Sequence, residues 1–486
     1  MRTHKSIEQY AKFINGSSIF TCHRNTCTIR ENRECGEGTQ MRKNRILCLC
    51  LSAFMLLSGC ANTAASASQG QAQPIQEKTI TQKVSQPLYQ SEVNYEIPVS
   101  RVRVLVDRGG YLTQRDKKVL FLGEDLSEEF RIVEEKSKEV VYKGKITRAT
   151  YDKEMGETVS RGDFSEFTQE GTYYIETDRI GRSYPFMIGN QVYDSMFQAL
   201  MEQEQHFTYE ESATGVRDLG FGMHAMLLAL QCHGSVFEEN KTLVPQLLAS
   251  ADWMLGRQDQ NGSIYEDYEA TAVFCGIMAM YHNVFGKYDE KAARAYLEAS
   301  DKSWKWLEKQ NTDSKTEKAR FYAAVQRFRT EGDEKYQKVV LDYLEKHEAD
   351  IMTDRFAFLG TIVYLSTERK TDRDVCAELM QKLVSETENI CVKSKKDNFG
   401  VYTRDLADNL YKILLICFVD YITPSNEYAT VMENTIHYIE GRNEEGCRYL
   451  GEDGVWTECD KTAARTPEWN GILLFELSDL LDDTQD

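Results

Sequence analysis

Hydrophobic positions recur along this chain with two different periods. From about residue 97 to 189 they fall in short runs: VRVLV (102–106), KVLFL (118–122), FRIVEE (130–135), VVYKGKI (140–146), GTYYIET (171–177) and SYPFMIG (183–189). Turn residues such as Asp107-Arg108-Gly109-Gly110 and Glu170-Gly171 separate them. Several short strands at this close spacing predict a β-sandwich.

After Tyr193 the period changes to that of helices and stays there. The pattern predicts helices over 192–204, 218–233, 241–256, 268–285, 289–309, 317–330, 333–347, 353–367, 371–386, 403–421, 426–440 and 469–482. Some are apolar on more than one face, as in AMLLAL (225–230), TAVFCGIMAM (271–280) and KILLICFV (412–419). Others, such as 290–310, carry a clear polar face. A helix that is apolar all round must be buried, so the split implies alternating inner and outer helices. Such pairs fit a six-fold α/α toroid better than an up-and-down bundle, although internal repeats are too weak to indicate a solenoid.

The N-terminus follows neither pattern. Arg42, Lys43 and Arg45 precede an apolar run over 46–57, and small residues lead to Cys60. A basic start, a short apolar stretch and small residues at the cut describe a secretory signal. The run is shorter than the roughly 18–20 residues that a membrane-spanning anchor would need. Leu57-Ser58-Gly59-Cys60 resembles a bacterial lipobox, which implies lipidation at Cys60, an exported protein and a membrane anchor on an extracytoplasmic face. Residues 1–40 then read as an upstream, non-mature segment, 41–60 as the signal peptide and 61–96 as a flexible tether. The alternative for 1–40, a zinc knuckle around Cys22, Cys27 and Cys35, lacks paired ligand spacing.

The chain has 486 residues, with 77 Asp+Glu against 58 Lys+Arg and a net charge of −19. Residues 1–59 hold nine Lys+Arg and four Asp+Glu, so the exported form would carry −24. This acidity argues against a nucleic-acid partner, which would need a basic footprint. Seven of the thirteen cysteines follow Cys60. Cys275 and Cys417 lie in apolar stretches and read as buried thiols, whereas Cys447 and Cys459 are close enough in sequence to pair.

Particular strings then become informative. GGYL (109–112), VVYKGKIT (140–147), GETVSRGDFSEFTQEGTYYIE (156–176) and GRSYPFMIGNQVYD (181–194) lie in the strand-rich part. ADWMLGRQDQNGSIYEDY (251–268), 285–310, FYAAVQRFRTEGDEKYQ (321–337), YIEGRNEEGCRYLG (438–451) and EWNG (468–471) lie in the helical part. In this order they resemble glycoside hydrolase family nine, the cellulases with an N-terminal immunoglobulin-like domain. The resemblance implies an immunoglobulin-like β-sandwich over 97–189 and a six-fold (α/α) barrel over 190–486. It also implies an open cleft for β-1,4-linked glucan and an inverting mechanism.

Inverting hydrolysis needs a carboxylate base and a protonated carboxyl acid roughly 6.5–9.5 Å apart. The family's base lies in a Gly-Trp-x-Asp-Ala-Gly-Asp loop before the first long apolar helix. This chain instead has HFTYEESATGVRDLGFGMHAM (206–226), with neither Asp-Ala-Gly-Asp nor tryptophan. Register with the helix puts Glu211 near the base position, and Glu210 and Asp218 lie close by. The family's acid motif, Asn-Glu-Val-x-x-Asp-Trp-Asn, is here Ala463-Ala464-Arg465-Thr466-Pro467-Glu468-Trp469-Asn470. Trp469 and Asn470 match, Glu468 stands for the aspartate, and Ala464 occupies the acid position. Alanine cannot transfer a proton, so the usual mechanism is not expected. Glu458, Asp460 and Glu468 could supply an acid only on a rerouted loop, and Glu210 and Glu211 also fit a solvated loop cluster.

Sugar faces stack on aromatics, which makes Trp456, Trp469 and Tyr265 candidates for substrate binding, with packing as the alternative for both tryptophans. Trp304 and Trp306 read as packing residues. No histidine pair has ligand spacing, and Asp-Gln-Asn-Gly (259–262) lacks the remaining calcium ligands, so no metal and no cofactor is expected. The chain reads as a surface lipoprotein that engages β-glucan or a related polysaccharide without the standard inverting mechanism. An active hydrolase with relocated carboxylates (Glu211 with Asp460 or Glu468) and a structural or protein-binding lipoprotein are the alternatives.

Overall fold

The computed structural model describes residues 89–90, 102–203, 210–237, 243–286, 290–451, 456 and 467–484. Cys60, Cys459, Asp460 and Ala464 lie outside these residues, as do the signal segment and nearly all of the tether.

Among the described residues nine strands come first: β1 (Tyr89–Gln90), β2 (Val104–Leu105), β3 (Lys118–Leu122), β4 (Glu129–Glu134), β5 (Glu139–Asp152), β6 (Glu157–Asp163), β7 (Gly171–Thr177), β8 (Gly181–Arg182) and β9 (Phe186–Ile188). All pairings between them are antiparallel. One sheet runs β1-β5-β4-β7, with β8 and β9 both on β7; the other runs β2-β3-β6-β5. The 14-residue β5 therefore belongs to both. Its first half pairs with β4, as in Ile132↔Tyr142, and its end pairs with β6, as in Tyr151↔Thr158, with a register shift between Thr147 and Thr150. Phe130 fills the space between the sheets, where Gly144 and Gly162 leave room: a Cβ on Gly162 would lie 2.5 Å from its ring. Val119, Phe121, Ile132, Ile175 and Phe186 pack around it.

Among the described residues twelve α-helices follow: α1 (Asp194–Gln203), α2 (Ala213–Cys232), α3 (Leu243–Leu255), α4 (Tyr268–Phe285), α5 (Glu290–Leu307), α6 (Ser314–Glu331), α7 (Glu334–Lys346), α8 (Arg355–Leu365), α9 (Arg373–Ser394), α10 (Leu406–Ile422), α11 (Asn426–Ile439) and α12 (Pro467–Thr484). The expected alternation is present. In α4 every residue from Ala270 to Tyr281 is buried, whereas α5 buries a single stripe, including Ala293, Tyr296, Ser300, Trp304 and Leu307. The even-numbered helices form the inner ring. Neighbours meet at α2–α4, α4–α6, α6–α8, α10–α12 and α12–α2, and Phe358 on α8 packs against Tyr411 on α10 at 5.1 Å. The α2–α12 closure depends on small residues: a Cβ on Gly222 would stand 2.6 Å from the carbonyl carbon of Pro467. The fold is thus an immunoglobulin-like sandwich followed by a six-fold (α/α) barrel.

Inner helices begin where a side-chain acceptor satisfies their open N–H groups. Ser212, Asp267, Asp313, Asp354 and Asp405 cap α2, α4, α6, α8 and α10, and Pro467 opens α12. Contacts between these starts place them at one end of the ring. Arg217 pairs with Glu269 at 2.9 Å, Lys315 with Glu269 at 3.7 Å, and Arg355 with Glu468 at 3.2 Å, while Lys318 pairs with Asp354. Glu211, Tyr265 and Glu468, each just before or within the first turn of an inner helix, lie at this mouth.

The sandwich is fastened to the outer side of the barrel. Asp107 meets His437 at 2.6 Å, the Arg108 amide donates to the Glu440 carbonyl at 3.0 Å, and Arg404 meets Asp152 at 2.5 Å. Asn398 adds a second bond to Asp152 at 2.9 Å.

Candidate functional site at the mouth of the helical ring

The structure separates the sequence-derived candidates into two groups. Trp456 and Trp469 are 4% and 8% exposed and pack edge to face at 5.3 Å. The Trp456 indole N–H donates to Asn470 Oδ1 at 2.7 Å, so its polar edge is already used. This is the packing arrangement, and neither ring lies open to a ligand. Trp304 is likewise packed, edge to face with Tyr336 at 5.0 Å. Tyr265 differs. It is 43% exposed, and both it and Glu266 hold left-handed backbone angles, φ 50° and 52°. Two consecutive non-glycine residues in that region are strained. Bridges Gln258↔Ile264 and Ile264↔Asp267 hold the turn, together with the Ile264 amide on the Thr271 hydroxyl at 2.9 Å. The loop thereby presents Tyr265 at the start of α4.

Glu211 lies just before α2 and is exposed, with its carboxylate 2.5 Å from Arg257. Arg257 in turn sits over the Trp253 ring at 4.7 Å. Asp460 lies outside the described residues, so its relation to Glu211 is not part of this geometry.

Glu468 lies in the first turn of α12, almost wholly buried, with Oε2 held by Arg355. Burial outweighs that cation, and with the charge of Asp218 it pushes the Glu468 carboxyl up to about 7. Burial also raises Asp218, on α2, against the opposing influence of Arg217 and Arg355. A carboxyl near 7 is protonated for much of the time at neutral pH, which a general acid requires. Arg355 lies over the Phe221 ring at 4.8 Å, on the same α2 segment as Asp218.

In the sequence Asp218 stands out only as a neighbour of Glu211, and Arg355 and Tyr411 belong to no motif. Arg355 did carry a signal. A cation in the first turn of an otherwise apolar helix opposes the helix dipole and therefore calls for a nearby anion. The Tyr411 hydroxyl is buried without a hydrogen-bond partner among the described residues, and its charged neighbours are Glu468, Arg355 and Asp354.

Among the described residues, no group of three or more His, Cys, Asp or Glu could hold a metal ion. Cys275 and Cys417 are free, buried thiols, as expected. Cys447 is disulfide-bonded, while Cys459, the cysteine close enough in sequence to pair with it, lies outside the described residues.

An immunoglobulin-like sandwich joined to an (α/α) six-fold barrel, with a carboxylate-bearing mouth, defines a class of architecture shared with known enzymes. Residues 100–182 match the cellulase N-terminal Ig-like domain family. Endoglucanase D of Acetivibrio thermocellus is 23% identical over 491 residues, covering 75% of this chain and 77% of that protein. The crystal structure of a metagenome-derived glycoside hydrolase family 9 endoglucanase superposes with a TM-score of 0.67 at 16% identity, covering 78% of this chain and 99% of the other. AaCel9A in complex with cellobiose-like isofagomine superposes with a TM-score of 0.63 at 15% identity, covering 78% and 99%. The chain thus carries a cellulase-type N-terminal immunoglobulin-like domain and is similar, in sequence and in fold, to cellulases of glycoside hydrolase family nine.

Proposed function

We propose that this protein is an exported, lipid-anchored surface protein that engages β-glucan or a related polysaccharide at the mouth of its helical ring, without the family's standard acid and base. The observation that carries the reading is Tyr265, an exposed ring held out at that mouth by a strained but well-bonded turn. Endoglucanase D and the isofagomine complex supply the substrate class by similarity. Ala464 at the family's acid position and the missing Asp-Ala-Gly-Asp loop are the reasons to set the standard mechanism aside. Lipidation at Cys60 rests on the Leu57-Ser58-Gly59-Cys60 string, and Cys60→Ala should move the protein from the membrane to the soluble fraction.

One observation favours hydrolysis with relocated carboxylates as a second reading. Glu468 combines burial, a guanidinium contact and a raised pKa at the ring mouth. The deciding experiment pairs binding with product release on soluble β-glucans and β-1,4-linked oligosaccharides. Binding without release supports the first reading, and release supports the second. Neither binding nor release removes both and leaves a scaffold role.

A further inference from the structure

We infer that Asp218 and Glu468 form the working carboxyl pair of a relocated glycoside-hydrolysing site, with Arg355 as the positioning residue between them. This rests on the hydrolytic reading given above.

Helix packing brings the two carboxyls together. The Gly222 backbone lies against Pro467, close enough that a Cβ would be 2.6 Å from its carbonyl carbon. Asp218 is one helical turn before Gly222 and thus on the same face, nearer the mouth, because residues four apart align along a helix. Glu468 immediately follows Pro467, so its backbone lies level with Gly222, about one turn (about 6 Å along the axis) deeper than Asp218. Arg355 reaches in from α8, holding Glu468 at 3.2 Å and covering the Phe221 ring.

A further polar group nearby lacks a partner among the described residues. The Tyr411 hydroxyl is buried without a hydrogen bond, and Glu468 and Arg355 are among its charged neighbours. Buried polar groups are ordinarily paired, so a ligand hydroxyl at this point would complete the hydrogen bonding. A sugar, with its many hydroxyls, has that chemistry.

The step balances without any co-reactant. Asp218 takes a proton from water, whose oxygen bonds to the anomeric carbon. The glycosidic carbon–oxygen bond breaks, and Glu468 gives its proton to the departing oxygen. Asp218 ends protonated and Glu468 ionised, and exchange with solvent restores both. Activity then requires ionised Asp218 and protonated Glu468, which gives a bell-shaped pH dependence whose alkaline limb belongs to Glu468.

The test uses the full chain with soluble β-glucan and β-1,4-linked oligosaccharides, measuring release, binding and the anomer first formed. Wild type should release product with inversion. Asp218→Asn and Glu468→Gln should each lower kcat by about 100-fold or more while leaving binding within a few-fold. Arg355→Gln removes the cation that lowers the Glu468 pKa, so the alkaline limb should move to higher pH, a shift that a purely structural role would not produce. If Asp218→Asn fails to fold, Asp218→Glu keeps the carboxylate and should retain inverting release. Binding by wild type without release overturns this inference alone, whereas neither binding nor release overturns the underlying functional reading as well. Loss of release in Glu211→Gln but not in Asp218→Asn also overturns it.

Discussion

His437 on α11 donates its Nδ1–H to Asp107 of the sandwich at 2.6 Å, across the junction between the two domains. The direction follows from chemistry, because an ionised carboxylate can only accept. Burial and the nearby Arg442 cation hold the imidazole below its usual pKa, in keeping with a neutral donor. Asp107 also accepts from the Gly109 and Gly110 amides at 2.6 and 2.8 Å, so one carboxylate shapes a turn and fastens two domains.

Removing this carboxylate should therefore be costly. Asp107→Ala leaves three donors without their acceptor, two of them buried and one partly buried, and a loss of about 3–5 kcal/mol is expected. In denaturant titrations, the Asp107→Ala, His437→Ala double mutant should fall short of additivity by about 1–3 kcal/mol. Strict additivity would show that the two side chains do not act together.

Stability should fall as pH rises through neutrality. Burial pushes Glu433 and Glu468 each up to about 7. A carboxyl whose folded pKa exceeds its unfolded value binds more protons when folded. Its contribution is complete below the unfolded value, about 4.3, and is lost as pH rises through the folded one. For Glu468 the difference corresponds to about 4 kcal/mol. The thermal midpoint should decline between about pH 5 and 8, less steeply in Glu468→Gln. An unchanged slope in that variant would remove Glu468 from the account.

Gly222→Ala should destabilise, although alanine is the better helix former by about 1 kcal/mol. The added methyl would meet the Pro467 backbone, which cannot swing aside as a side-chain end could. Overpacking of this kind costs about 1–3 kcal/mol, and denaturant midpoints should show a net loss. A gain would mean that α2 and α12 can separate freely.

Tyr265 and Trp456 should part company on substitution. Tyr265→Ala removes an exposed ring, so the affinity for β-1,4-linked oligosaccharides should drop about 10-fold while stability stays within about 0.5 kcal/mol. Trp456→Ala empties a packed position and should cost about 3–5 kcal/mol in stability. Calorimetric binding beside thermal unfolding separates the two, and equal affinity in Tyr265→Ala would remove that ring from the site.

Much of the architecture was legible because burial imposes periodicity. The runs 118–122 and 171–177 are strands to the residue, and α4 occupies 268–285 as its apolar pattern required. Strand β6 escaped because ETVSRGD buries only part of its length, and its Gly162 is explained by Phe130 on another strand. Helix α2 starts five residues earlier than the apolar pattern suggested, since Ser212 supplies the cap. The site was harder to read. Asp218, Arg355 and Glu468 lie far apart in sequence, and what unites them is the α2–α12 contact and one ion pair. Neither leaves a local pattern. The burial of Trp456 depends in the same way on Trp469 and Asn470.

The shared strand β5 has a consequence for how the molecule comes apart. Because its two halves serve different sheets, displacing the whole strand unpairs both sheets at once. Its final residue, Asp152, is the one gripped by Arg404 and Asn398 of the helical domain. Fraying at that end would release the grip on the barrel at the same moment. Sandwich and barrel should consequently melt as one cooperative unit, and a proteolytic nick in β5 should loosen both domains together.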